Sequence, residues 1–337
     1  MRLARIAAPE VFADPMASMT RSAHETSAWV IETDGLCRDF GGRRAVDNVT
    51  LRVPAGGVFG LLGRNGAGKT STIRLLLGVL EPSSGSARVF GLDTRTQGAA
   101  IRERAGALLE HAGLYERLSA EDNLEFYGRA FLMPQADRRL RIEELLTRFG
   151  LWDRRRDTVA AWSRGMKQKL AIARTMLHRP QLLFLDEPTA GLDPIAAATL
   201  RDDLADLVAR EHVTVFLTTH NLAEAEVLCD TVAVLRGGQV LAIGSPREVR
   251  AGSQRAHVNI AGRGFGPGII SKLRERTDVT AVRATDSGGV LAIDLAADAD
   301  IATLVALIVT HGGRVEEVLR GPASLEDAFR VLVEEAQ

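Results

Sequence analysis

Cysteine is almost missing from this 337-residue chain: Cys37 and Cys229 stand far apart, with no metal-ligand spacing. A thiolate metal cluster and a disulfide framework are therefore excluded, and two reduced thiols of a cytoplasmic protein are expected. Net charge is nearly missing as well, −1 from 42 basic and 43 acidic residues. There is no bulk attraction for nucleic acid or anionic lipid, and only a local patch could supply one. Very few of the basic residues are lysine, and the arginines are spread through every segment, which reads as a bias of the source genome. No apolar run approaches the roughly 18 residues needed to cross a bilayer. Arg2 and Arg5 precede apolar stretches broken by Pro9, Glu10, Asp14 and Pro15, which makes a poor signal peptide. Residues 1–27 read as a flexible extension, with Met16 or Met19 as alternative starts.

What is present is the balance of a globular protein, 46% apolar and 25% charged. The length allows one large domain or a large and a small one. Segments 29–33 and 46–53 read as strands around a Gly41-Gly42 turn, 58–62 as a short apolar strand, 69–80 as a helix and 87–90 as a strand. From 115 to 180 the pattern turns helical. Ser119 with Asp122 starts one helix by a capping-box-like pair. A second helix, 137–149, has Leu140, Leu145, Leu146 and Phe149 as inward candidates, and a third spans 165–177. Buried strands return at 182–185, 213–218 and 232–235, with helices 195–210 and 222–228 between them. Strands alternating with helices indicate an α/β fold: a parallel sheet covered on both faces, carrying a helical insertion at about 115–180. Gly244-Ser245-Pro246 marks the edge of this unit. Beyond it, strand-helix-strand occurs twice, with turns at Ser287-Gly288-Gly289 and Gly312-Gly313 and a closing helix at 324–334. That order suggests a small α+β ferredoxin-like domain over 253–337.

The chemistry is concentrated in Gly63-Arg64-Asn65-Gly66-Ala67-Gly68-Lys69-Thr70-Ser71. This matches G-x-x-x-x-G-K-[ST] between an apolar strand and a helix, the context that gives the motif its meaning. Glycines let backbone N–H groups turn inward around phosphate oxygens, and the helix start adds partial positive charge. Lys69 can reach the terminal phosphates, Thr70 offers a hydroxyl to Mg²⁺, and Ser71 is a further donor. Four apolar residues, 182–185, then deliver Asp186 and Glu187 to the C-terminal end of a buried strand, where ligands sit in open α/β sheets. Asp186 is placed to hold Mg²⁺, and Glu187 to orient or deprotonate an attacking water. Such an acidic pair is a common strand cap on its own; the phosphate loop makes it informative. His220, ending the next apolar strand, is placed to hydrogen-bond a γ-phosphate.

Over about residues 28–250 this ordered set resembles the nucleotide-binding subunit of ATP-binding-cassette (ABC) transporters. Phe40 stands where that family stacks an aromatic ring on adenine. Glu110 and the following 113–119 resemble the Q-loop and the transporter-facing segment. Trp162-Ser163-Arg164-Gly165-Met166 resembles the signature, 182–187 the Walker B strand, Ala190-Gly191-Leu192-Asp193 the D-loop, and His220 the switch histidine. Two departures stand out: Glu110 where the family usually has Gln, and Trp-Ser-Arg-Gly-Met where Leu-Ser-Gly-Gly-Gln is usual. Ser163 and Gly165 keep a hydroxyl and helix-start N–H groups for phosphate, and Arg164 adds a positive charge. The signature form, and the tail Ala323-Ser324-Leu325-Glu326-Asp327-Ala328-Phe329, resemble the daunorubicin-resistance, drug-exporting subgroup. Leu325, Ala328, Phe329 and Leu332 also read simply as the apolar face of a last helix.

The resemblance implies a P-loop NTPase (ABC ATPase) domain with a helical subdomain, working with ATP and Mg²⁺. It implies a homodimer in which the phosphate loop of one copy faces the signature of the other, where Ser163 and Arg164 are suited to contact phosphate in trans; Gly165 and Asp193 are further nucleotide-binding residues, and Glu110 lies near the metal. A separate permease would carry the cargo, and the chain would sit peripherally on the cytoplasmic face of the membrane. The alternative is a soluble ABC ATPase acting on nucleic acid or the ribosome. Such proteins usually carry two cassettes or a long coiled-coil insertion, and neither is present here.

Overall fold

Apolar runs without polar alternation become the two-sided centre of a sheet, and that rule organises the computed structural model. It describes residues 29–252, 256–284, 289–296, 299–321 and 324–334; the expected extension lies outside these, as do parts of the 287–289 turn and of the tail motif. In chain order the elements are β1 (Trp29–Phe40), β2 (Arg43–Pro54), β3 (Val58–Leu62), α1 (Lys69–Leu76), β4 (Ser84–Val89), β5 (Leu92–Asp93), α2 (Gly98–Arg104) and β6 (Ala105–Leu108). The helical stretch follows: α3 (Ala120–Ala130), α4 (Gln135–Arg148) and α5 (Arg164–Met176). Then come β7 (Leu182–Asp186), α6 (Pro194–Glu211), β8 (Thr214–Thr219), α7 (Leu222–Leu228), β9 (Thr231–Arg236), β10 (Gln239–Gly244) and α8 (Pro246–Gly252). Last are β11 (Ala256–Arg263), α9 (Pro267–Arg274), β12 (Val279–Ala284), β13 (Val290–Leu295), α10 (Ile301–Thr310), β14 (Arg314–Gly321) and α11 (Leu325–Glu334).

The central sheet has the order β10-β9-β3-β8-β7-β6. It is parallel from β9 to β6, with β10 antiparallel at one edge. Every residue of β3, β7 and β8 is buried, because one face meets α1 and the other meets α5 and α6. The expectation of one sheet needs correcting. β1 runs on to Phe40, and β2-β1-β4-β5 form a separate antiparallel sheet. In β2, Val49, Leu51 and Val53 alternate with exposed residues, the signature of a one-sided sheet. That face covers α1 and Phe59, Leu61, Phe184 and Phe216 of the central sheet. The short edge strand β6, with β5, β10, α2 and α8, was also not foreseen.

Helix α1 stops at Leu76, short of residue 80, because Gly78 takes φ +62° and its N–H bonds back to Leu75 O at 3.1 Å. In the helical stretch, Ser119 caps α3 by accepting from Asp122 N. Leu145, Leu146 and Phe149 are buried, but Leu140 is 67% exposed. The inward position beside it belongs to Arg141, which donates to Glu211 and to Met176 O.

The strands after α8 form a four-stranded antiparallel sheet of order β12-β13-β11-β14. Helices α9 and α10 pack on it through Ile269, Leu273, Leu304 and Ile308. Helix α11 does not stay with that sheet. It packs on α7 and α8, with Leu325 and Ala328 fully buried and Leu325, Phe329 and Leu332 joined to the core of the central sheet. Both cysteines are buried and free, and burial raises the Cys229 thiol to about 12.

Candidate active site

The loop between β3 and α1 closes where side chains have no room. A Cβ on Gly68, at φ +109°, would sit 2.3 Å from Ala45 O, so only glycine brings the start of α1 against that backbone. Lys69 folds back under the loop. It is 6% exposed, and its Nζ donates to Gly63 O at 2.7 Å and lies 2.9 Å from Glu187 Oε1.

The two acidic residues are held differently. Asp186, the last residue of β7, accepts from Thr70 Oγ1 at 2.6 Å and from Thr218 Oγ1. Glu187 has φ +52°, unusual for a side-chain-bearing residue. It is pinned there by its own N–H, which donates to Thr218 O at 3.0 Å. Its carboxylate spans two partners, Lys69 on Oε1 and His220 Nδ1 on Oε2 at 2.5 Å. Both acids are thus set by β8, whose end carries Thr218, Thr219 and His220.

A cavity of about 630 Å³ gathers Phe40, Asn65, Gly66, Gly68, Lys69, Thr70, Ser71, Glu110, Asp186 and Glu187. Phe40 is 42% exposed with the Arg38 guanidinium 4.6 Å from its ring centroid, so an aromatic face stands at the cavity mouth. Glu110 is met by Arg74, with Nη2 3.4 Å from Oε1. The added charge relative to a glutamine therefore has a cation beside it. Buried Gly63 and Ala67 complete the loop behind this lining, and Arg64 is exposed on its other side, beside His220 in a second cavity.

Beyond the loop, four expected residues do not line the first cavity in their own chain: His220, Ser163, Gly165 and Asp193, although Arg164 and Gln168 of α5 do line it. His220 lies beside Arg64 and Asn65 in the neighbouring cavity. Ser163 is the exposed N-cap of α5, accepting from Met166 N at 3.2 Å. Gly165 follows in the first turn. Asp193 caps α6 by accepting from Ile195 N and Ala196 N. Sequence reading missed Glu224 on α7. It is 2% exposed and accepts from Thr189 Oγ1 at 2.6 Å and Thr219 Oγ1 at 3.4 Å. It therefore links the segment after Glu187 to the strand end before His220. Burial pushes its carboxyl up. Its only sequence signal is a Glu three residues after Asn221, the N-cap of α7.

A buried strand, a glycine turn over a buried lysine, and two carboxylates on the next strand but one define a phosphate-loop nucleoside triphosphatase. Comparison with known proteins narrows the class. Residues 46–190 match the ABC transporter family model. The daunorubicin resistance ATP-binding protein of Streptomyces coeruleorubidus is 40% identical over 251 residues, covering 74% of this chain and 79% of that one. The daunorubicin/doxorubicin resistance ATP-binding protein of Streptomyces peucetius is 43% identical over 221 residues, 66% and 67% of the two chains. Among solved structures, an ATP-binding subunit of an ABC transporter superposes with TM-score 0.60 at 32% identity, over 66% of this chain and 92% of that one. The chain belongs to the family of ATP-binding, ATP-hydrolysing subunits of ABC transporters.

Proposed function

We propose that two copies of this chain close on ATP and power export of a hydrophobic, drug-like cargo through a separate permease, from the cytoplasmic face of the membrane. One observation carries the two-copy reading. Lys69, Thr70, Asp186 and Glu187 converge on one cavity; of the signature helix only the long side chains of Arg164 and Gln168 reach its wall, whereas Ser163 and Gly165, the groups expected to hold phosphate, do not line it. A second copy would bring those groups, with Asp193, to the phosphates. Among the described residues no helix is long and apolar enough to cross a membrane; the relatives' description as ATP-binding proteins supports a permease on another polypeptide. The drug reading comes from the resistance proteins among the relatives. The relatives named are resistance proteins, which favours the transporter over the soluble alternative.

The roles follow from the geometry. Backbone N–H groups of 63–68 and the Lys69 ammonium would hold the phosphates. Thr70 Oγ1 and Asp186 Oδ2, hard oxygen donors 2.6 Å apart at the cavity, fit Mg²⁺. No group of three His, Cys, Asp or Glu among the described residues could hold a metal alone, which suits an ion completed by phosphate and water. When bound, that ion supplies charge neutralisation. Glu187 would take the proton of the attacking water, with His220 orienting the carboxylate and Glu110 facing the same space. Phe40 would stack on adenine.

We assign 28–250 to the ATPase, with its helical subdomain at about 115–180. The strand-helix-strand repeat and the order β12-β13-β11-β14 support a ferredoxin-like unit after residue 253, from which α11 crosses back.

Glu187→Gln tests the reading. Turnover should fall about 100-fold or more while ATP binding persists, and light scattering should find a dimer only with ATP. A variant that hydrolyses at the normal rate removes Glu187 from the base role, and one that stays monomeric with ATP removes the two-copy site.

A further inference from the structure

The signature helix grips the catalytic loop of its own chain. Arg164, the first residue of α5, donates from Nη2 to Ala190 O at 2.9 Å. Its guanidinium lies flat over Gly191, where a Cβ would meet Nη1, Cζ and Nη2 at 2.4–2.6 Å. One turn further, on the same helix face, Gln168 Nε2 donates to Pro188 O at 2.6 Å. The two carbonyls thus held flank Thr189 in the segment directly after Glu187. That segment is wound tightly: Ala190 N donates to Glu187 O at 3.0 Å and Leu192 N to Thr189 O at 3.1 Å. Lys169 adds a link to α6, with Nζ 2.8 Å from Asp203.

The signature position that departs from the family pattern therefore has a contact of its own. The Arg164 guanidinium donates to the D-loop carbonyl at the wall of the nucleotide cavity, which Gln168 also lines, while Ser163 is the exposed N-cap of α5. We propose that Arg164 and Gln168 are positioning residues: they fix the loop behind Glu187 to α5, so that the carboxylate's placement follows the signature helix. The proposal rests on the assignment of Glu187 as the base. Such a link adds to the bonds from Glu187 N to Thr218 O and from Thr189 to Glu224 that already hold this segment.

The test uses the full chain with ATP and Mg²⁺, measuring turnover, equilibrium nucleotide binding and thermal unfolding. Arg164→Ala and Gln168→Ala should each cut kcat about tenfold with ATP affinity within about twofold of the parent. Arg164→Lys, which keeps one donor to Ala190 O but not the flat contact with Gly191, should recover part of the loss. The double variant should lose less than the product of the single losses, because both act on one loop. A purely structural role would instead lower the unfolding temperature and nucleotide affinity together, and that result overturns the proposal. So does a loss confined to Arg164→Ala, which would place its charge on phosphate and leave uncharged Gln168 without effect. If both variants turn over normally while Glu187→Gln is inactive, the positioning falls and the catalytic assignment stands. If Glu187→Gln is active, both fall.

Discussion

Lys69 and Glu187 face each other at 2.9 Å, so the cation proposed to meet phosphate rests on the carboxylate proposed to meet water. The pair keeps a lysine that is 6% exposed from being an unpaired buried charge. A phosphate held by the loop would offer Lys69 a competing anion, while His220 holds Oε2 of Glu187.

Lys69→Ala is therefore expected to cost ATP affinity about 2–5 kcal/mol, the range for losing one partner of a desolvated charge pair. Equilibrium titration with a fluorescent ATP analogue reads this directly. A change below threefold would show that the loop backbone alone holds the phosphates.

Arg141 joins three helices of the helical stretch and its border. It is 1% exposed and donates to Glu211 at 2.9 and 2.8 Å and to Met176 O. Replacing it with alanine should destabilise the fold by about 3 kcal/mol, since Glu211 loses a buried partner. Denaturant titration measures it.

Acid sensitivity follows from the same pair. Burial alone would raise the Glu211 carboxyl, but Arg141 and then Arg148 bring it below its ordinary value of 4.5. The stability this confers is full above that ordinary value and is lost as pH falls through the lower folded value. Unfolding free energy should drop more steeply below pH 4.5 in the parent than in Glu211→Gln. Parallel curves would refute the assignment.

Leu325→Ala should cost about 2–5 kcal/mol, because the side chain is fully buried where α11 meets α7 and α8. Loss of less than 1 kcal/mol would mean that α11 is not seated there in solution.

The phosphate loop, Asp186 and Glu187 were legible because each sits in one short segment whose spacing dictates its geometry. The signature and D-loop were legible as motifs, but their contact was not. The Arg164–Ala190 bond joins side chain to carbonyl across 26 positions, and neither partner has a pattern that announces the other. Leu140 was misjudged for a related reason. Periodicity cannot foresee an arginine taking the inward place when a glutamate waits 70 positions on. The split into two sheets escaped because β1 takes β4 as its second partner, Ile31 opposite Val89, a pairing between distant segments that no local alternation announces. Glu224 escaped because a buried carboxylate looks like any helix-start acid until Thr189 and Thr219 are brought to it.

The return of α11 bears on how the chain is made. Leu325 belongs to the same core as Val58 and Leu62 of β3, residues synthesised near the start. During translation that core stays open on one side while the whole intervening sheet is threaded out and folded. The nucleotide loop is built early, and the core that holds its Ala67 and α1 needs no residue beyond 240; Leu325 closes the core on the other face of the sheet. A ribosome stalled between positions 252 and 325 presents a chain with its ATP-binding motifs complete and the seat of Leu325 on that second core still uncovered.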